Sequence, residues 1–245
     1  LKKLCITISD WPIVEAEFNR IGLEVEPFNA IVEENRVLGF NKSVYACMEL
    51  CKKVTVNDGG YLHKNGTYYI SGDAVASVKI EYEDLLLFED DVKFDGEINF
   101  NFPEDAFTVH LGCNIIGMDT TVWEMPTRGV VNGSHHKSEW QMPTNSTPAG
   151  FARLHNCWQT HAIWYSKEAV EFILKNFKFV TDEYKTEGCQ IFDEWLRVNV
   201  LPLKQSYVAN PMVAYQRPRW SEIWNCEADY TGCHIQGNKW LKDNL

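Results

Sequence analysis

What this 245-residue chain lacks narrows it quickly. No apolar run approaches the roughly 18 to 20 residues of a membrane-spanning helix, so no membrane span is expected. Leu1-Lys-Lys-Leu-Cys-Ile-Thr-Ile-Ser9 is too short and too polar for a secretory signal. The chain opens on Leu rather than Met, as an excised or processed domain would. No Lys/Arg block occurs, and 34 acids against 23 bases give a net charge of −11, so extended nucleic-acid binding is not expected. Eight cysteines (5, 47, 51, 113, 157, 189, 226, 233) include no C-x-x-C pair. Scattered through apolar segments, they read as buried free thiols in a reducing compartment, and a cytoplasmic location is expected. Cys226, Cys233 and His234 offer donors for zinc, but a four-ligand spacing is missing. Asn-x-Ser/Thr sequons at Asn41, Asn65, Asn132 and Asn145 carry little weight without a signal.

What is present is an ordinary globular composition, 45% hydrophobic and 23% charged, long enough for one large domain or two small ones. Its most informative stretch is Leu85-Leu-Leu-Phe-Glu-Asp-Asp-Val92, four large apolar residues running into three carboxylates. Unpaired buried carboxylates cost several kcal/mol, so the acids belong where a buried strand ends at a cleft. Adjacent anions repel unless a cation joins them. A hard divalent ion bound by carboxylates and substrate phosphates is the natural partner.

Strands and helices alternate along the chain without an internal repeat, which predicts an α/β sheet with helices on both faces. Strands are expected at 3–9, 23–28, 84–88, 107–112 and 161–165. Helices are expected after Asp10 to Gly22, at 43–53, 167–177 and 187–198, with a short one after Asp73. Residues 59–72 read as a hairpin turning at Asn65-Gly66. A long loop rich in Gly, Pro, Ser, Thr and Asn covers 117–155, and short strands and a polar tail follow residue 198.

Several segments come in a telling order: the first strand and its helix, Glu24-Val-Glu-Pro-Phe-Asn-Ala30, Leu87-Phe-Glu-Asp-Asp-Val92, His161-Ala-Ile-Trp-Tyr-Ser166, the Asp193-Glu194 helix, and Tyr215-Gln-Arg-Pro-Arg-Trp-Ser-Glu-Ile223. This set resembles glycosyltransferase family 25, the lipooligosaccharide and collagen galactosyltransferase type with its viral and bacterial relatives, over about residues 3–50 and 80–223. The resemblance implies a single GT-A-type domain, a mixed, mostly parallel sheet flanked by helices. A Rossmann-like nucleotide-sugar-binding half (about 1–112) would merge with an acceptor half (about 113–245).

The resemblance further implies transfer of a hexose from a nucleotide-diphosphate sugar, UDP-sugar favoured, to a hydroxyl of a glycan or glycoconjugate acceptor, with inversion and with Mn²⁺ or Mg²⁺. Glu89 and Asp91 would hold the metal and Asp90 the ribose. Ile8, Ser9, Asn29 and Ala30 would line the nucleoside pocket, with Ser43 and Phe88 also at the donor site. A metal offsets charge on the leaving diphosphate, and a base must take the acceptor's proton. Asp193 is the candidate base and Glu194 its competitor, since adjacent helical residues point about 100° apart. The chain departs from the family where Ser9-Asp10-Trp11-Pro12 replaces a basic segment, at the Asn65-Gly66 hairpin, and over 117–155.

Two other readings stay open: an inactive nucleotide-sugar or carbohydrate-binding module, and a metal-dependent phosphohydrolase or nucleotidyltransferase. The latter lacks the dense His/Asp set such enzymes use. Trp158, Trp164 and Trp195 are expected in the core, and Trp123, Trp140, Trp220 and Trp224 near loops where a ring could stack on a sugar. His161 is expected as a core histidine and His234 at the surface. His135-His136 falls in the long loop. Gln216 and Ser221 match late polar positions of the family.

Overall fold

Leu85, Leu86, Leu87 and Phe88 are almost wholly buried, because their strand sits inside a sheet covered on both faces. The computed structural model describes residues 1–8, 11–57, 60–62, 68–70, 77–115, 141–145, 149–178, 191–221 and 226–245. The chain order is β1 (Lys2–Thr7), α1 (Trp11–Arg20), β2 (Glu26–Asn29), α2 (Arg36–Glu49), β3 (Lys52–Asn57), β4 (Gly60–Leu62), β5 (Tyr68–Ile70), β6 (Ser77–Tyr82), β7 (Leu85–Glu89), β8 (Val92–Phe94) and β9 (Thr108–His110). There follow β10 (Thr144–Asn145), β11 (Phe151–Arg153), β12 (Ala162–Tyr165), α3 (Lys167–Asn176), α4 (Phe192–Asn199), β13 (Ser206–Ala209), β14 (Ala214–Gln216), β15 (Arg219–Ser221), β16 (Cys226–Ala228) and α5 (Thr231–Asn244).

Eight strands form the main sheet in the order β10-β11-β13-β9-β12-β7-β1-β2. The sheet is mixed, but not mostly parallel as expected. β1 runs parallel to β2 and β7, and β13 to β9, whereas β12 is antiparallel to both its neighbours and β10-β11-β13 is antiparallel throughout. The inserted β12 reverses direction in mid-sheet. Strands from both expected halves thus share one sheet.

Alternation along β7 divides its apolar run between two cores. Leu85 and Leu87 pack with α2, α3 and α4, while Leu86 and Phe88 pack under α1. The second core stacks Phe18, Phe88 and Phe94 with ring centroids 5.0–6.1 Å apart. Each such side chain contributes about 1.5–3 kcal/mol on burial. A third core gathers Ile115, Leu154, Val208 and Met212 against Leu241 of α5.

Local chemistry explains most boundaries. Gly22, at φ +69°, takes the left-handed turn that ends α1. Helix α2 begins seven residues before the expected Ser43, because Asn35 caps it by accepting from the Leu38 N–H at 3.2 Å. Its buried face is the expected one, Val44, Cys47 and Met48, with Cys51 just beyond. Asn41 on that helix is fully buried, which withdraws its sequon from any glycan. Ser166 caps α3 through the Ala169 N–H.

The strands β4 and β5 pair antiparallel on either side of the expected hairpin turn; Asn65, Gly66 and Asp73 lie outside the described residues. The unexpected strands β3 and β6 pair along their whole length. The 117–155 segment carries β10 and β11, while His135 and His136 fall outside the described residues. The expected polar tail is the 14-residue helix α5, which the low apolar content of its sequence concealed. No helix among the described residues is long and apolar enough to cross a membrane.

Candidate functional site

The three mutually parallel strands β2, β1 and β7 all deliver their carboxyl ends to one cleft of about 1220 Å³, its open mouth included. Ile8 follows β1, Ala30 follows β2 and Glu89 ends β7; all three line the cleft. Ligands of open α/β sheets gather at such strand ends. Gln159 and Thr160 enter from the antiparallel β12 side, Asp193 from the first turn of α4, and Gln216, Arg217 and Arg219 from around β14 and β15.

The acids of the octapeptide are unequal. Glu89 accepts from the Thr160 hydroxyl at 2.7 Å and has carboxylates around it, so burial first, then Asp91, push its carboxyl up to about 8. Asp91 is raised as well, by burial above all, although Arg219 and Arg217 pull it down. Its Oδ2 accepts from Gln216 Nε2 at 3.2 Å, and its buried Oδ1 has no hydrogen-bond partner. Asp90 also lines the cleft. It accepts from the Ile8 N–H at 3.0 Å and pairs with the Arg219 guanidinium, which ties the loop after β1 to the late chain.

Pairing of β14 with β8 sets Gln216 opposite Val92 and brings the arginines to the acids. The Arg217 N–H donates to the Asp91 carbonyl at 2.8 Å. Close approach of Ala214 depends on Gly112, where an added Cβ would lie 1.7 Å from the Ala214 carbonyl oxygen. Gln159 stands at φ +77°, a strained left-handed conformation for a side chain of its size, and its N–H points to Asp193 Oδ2 at 3.4 Å.

Helix α4 separates its two candidates. Asp193 lines the cleft, and burial pushes its carboxyl up to about 6 despite hydrogen bonds from the Glu194 and Gln159 N–H groups. Glu194 instead holds buried Arg197 in a two-pronged ion pair at 2.7 Å, and Arg197 lies over the Trp158 ring. Glu194 is therefore a structural residue and no competitor for the cleft.

The remaining expected contacts divide. Ile8, Ala30 and Ser43 line the cleft; the Ser43 hydroxyl accepts from the Ile31 N–H and donates to the Gly39 carbonyl, both at 2.8 Å. Phe88 does not reach it, because alternation turns its ring into the core beneath α1. Asn29 is exposed at the end of β2 and is not part of the lining. Ser9, Trp123, Trp140 and Trp224 lie outside the described residues, as does the Ser221 side chain. Trp220, 45% exposed, lines the cleft, and Trp164 and Trp195 are buried as expected. His161 is a core histidine beside Gly112, driven down to about 3 by burial. His234 is buried rather than at the surface, with Nε2 2.8 Å from Asp95 Oδ2, and among the described residues it does not converge with Cys233 in a set of three metal donors. Arg36, Gln159, Thr160 and Tyr230 also line the cleft, and no local sequence pattern marks them.

Chemically, the cleft combines buried carboxylates with three arginines at its wall, Arg36, Arg217 and Arg219. The oxygens of Glu89, Asp91 and Asp193 do not converge as a ready three-donor set; among the described residues only His110, Cys113 and Cys157 do so. A magnesium-type ion needs only one or two carboxylates when phosphates complete its shell, so the acid pair fits a metal carried in with a phosphorylated ligand. No protein-family model matches the chain, and no curated protein matches it either.

Proposed function

We propose that the chain is a metal-dependent glycosyltransferase of GT-A type that moves a hexose from a nucleotide-diphosphate sugar, a UDP-sugar by preference, to a hydroxyl of a glycan or glycoconjugate. One observation carries the reading: the neighbours Glu89 and Asp91 and, far along the chain, Asp193 all line one cleft with their carboxyls raised by burial. Such acids are costly to the empty protein and are relieved by a divalent ion.

In this reading Asp91, with its unpartnered Oδ1, is the principal ligand for Mn²⁺ or Mg²⁺, and Glu89 assists. The metal supplies charge neutralisation on the departing diphosphate. Arg217 and Arg219 take the phosphate contacts that Ser9-Asp10-Trp11-Pro12 does not provide. Trp220 is the cleft's exposed aromatic face for a sugar ring. Asp193, raised towards neutrality, is poised to accept the acceptor's proton.

The test is thermal unfolding with UDP, GDP or CDP, each with and without Mn²⁺, in wild type and Asp91→Asn. A ligand at 100 times its Kd adds about 2.7 kcal/mol. Stabilisation by a nucleotide that requires both Mn²⁺ and Asp91 is the expected result; if no nucleotide behaves so, the donor model fails. Binding without transfer from any nucleotide sugar would favour an inactive binding module.

A further inference from the structure

Away from the acidic cleft, the third core contains donors of a different character. A ring nitrogen of His110, Cys113 Sγ and Cys157 Sγ all lie within 4.8 Å of one another. Their residues are 1%, 3% and 3% exposed, and their neighbours include Ile115, Leu154, Val208 and Leu241. Three metal-ligating side chains thus converge in an aliphatic surrounding.

We propose that His110, Cys113 and Cys157 form a zinc site. Tetrahedral bonds of about 2.3 Å to sulfur and about 2.05 Å to nitrogen place two donor atoms about 3.5 Å apart. Cys157 Sγ lies 3.6 Å from His110 Nδ1. The separation already suits the metal. Thiolate and imidazole select zinc over the magnesium-type ions that carboxylates prefer, so this site and the cleft call for different metals. Charge balance also favours zinc. As each S–Zn bond forms, its thiol releases a proton to solvent, and two thiolates leave the divalent ion neutral, with no electron transferred. A neutral cluster is the form a core tolerates best.

Position indicates its purpose. His110 ends β9, Cys113 follows it closely, and Cys157 lies between β11 and β12. Reciprocal backbone hydrogen bonds between Asn114 and Trp158, at 3.0 and 3.1 Å, hold the two passes together. Zinc would clamp both ends of the intervening segment to the sheet.

The full chain, prepared with reductant, is loaded with Zn²⁺ for elemental analysis and with Co²⁺ for absorption spectroscopy. Expected are one zinc retained per chain, a thiolate-to-cobalt charge-transfer band, and a zinc-dependent Tm increase of roughly 5–10 °C at saturation. Asp91→Asn and Cys233→Ser should retain all three; Cys113→Ser and Cys157→Ser should lose the band. If either serine variant fails to fold, the wild-type band and Tm shift still decide. Absence of the band in folded wild type, its persistence in both serine variants, or a Cys113–Cys157 disulfide blocking uptake under reducing conditions would overturn the proposal.

Discussion

Replacing Glu89 by Gln should make the metal-free protein more stable near neutral pH, although the residue stands at the centre of the cleft. The unfolded chain holds this carboxyl at its ordinary value of 4.5, and burial among other acids raises it to about 8 in the fold. Between those values the folded protein binds more protons than the unfolded chain, so stability falls as pH rises and levels off above the folded value. At 1.36 kcal/mol per unit, the penalty accumulated by pH 7 is about 3 kcal/mol. Glu89 titrates together with Asp91, and a figure of about 2 kcal/mol allows for sharing between them. Glutamine keeps an oxygen for the Thr160 hydroxyl and carries no charge. For a chain of this size the gain corresponds to a Tm roughly 4–8 °C higher. Unfolding scans in EDTA at about pH 7.5 and pH 4.5 would measure it, the advantage nearly vanishing at the acid end, where Glu89 is protonated in the fold and about half protonated in the unfolded chain. Saturating Mn²⁺ with UDP should reverse the ranking. A variant less stable than wild type in EDTA at neutral pH, or a gain independent of pH, would refute an uncompensated carboxylate at this position.

Other outcomes follow from the same geometry. Asp193→Asn should retain UDP–Mn²⁺ binding and lose transfer by about 10²-fold or more, measured by sugar release and product formation; full activity would remove its role as base. Glu194→Gln should leave nucleotide affinity unchanged while costing about 2–4 kcal/mol in a denaturant titration, because it removes the carboxylate from buried Arg197's ion pair. Arg219→Ala should weaken UDP binding and cost about 1–2 kcal/mol, as Asp90 loses its ion-pair partner; calorimetry and unfolding report the two effects separately. Mn²⁺–UDP affinity should fall as pH drops from about 8 towards 5, since protons compete for Glu89 and Asp91, whose carboxyls are both raised; a flat profile would exclude them as ligands.

Local patterns carry much of the fold. The octapeptide marks β7 and the point where it opens, since four apolar residues followed by acids admit few other placements. The periodicity of 167–177 predicts α3 with its buried Val170 and Ile173. Direction is what a local pattern omits: nothing in His161-Ala-Ile-Trp-Tyr165 says that the strand enters antiparallel between β7 and β9. Site chemistry divides in the same way. Glu89 and Asp91 are visible in sequence because they belong to an apolar run ending in acids, and Asp193 was singled out only by a resemblance. Thr160 and Arg219 become cleft residues only through tertiary contact, as do His110 and Cys157 in the third core. Phe88 was misplaced because residues next to a site alternate between faces, and a strand's period of two sends every second side chain away.

The contact of Asp90 with Arg219 spans 129 residues, and β14 closes on β8 across a similar distance. During synthesis, therefore, the acidic turn emerges long before its arginines and Gln216. A ribosome-bound chain that stops short of residue 214 would carry the carboxylates without the groups that anchor Asp90 and orient Asp91. Ligand competence should thus arrive abruptly and late, once residues 214–219 have left the exit tunnel. Termination just before residue 214 would leave a largely formed sheet with a disassembled cleft, a species quality control would have to recognise by its exposed charge rather than by unfolded bulk.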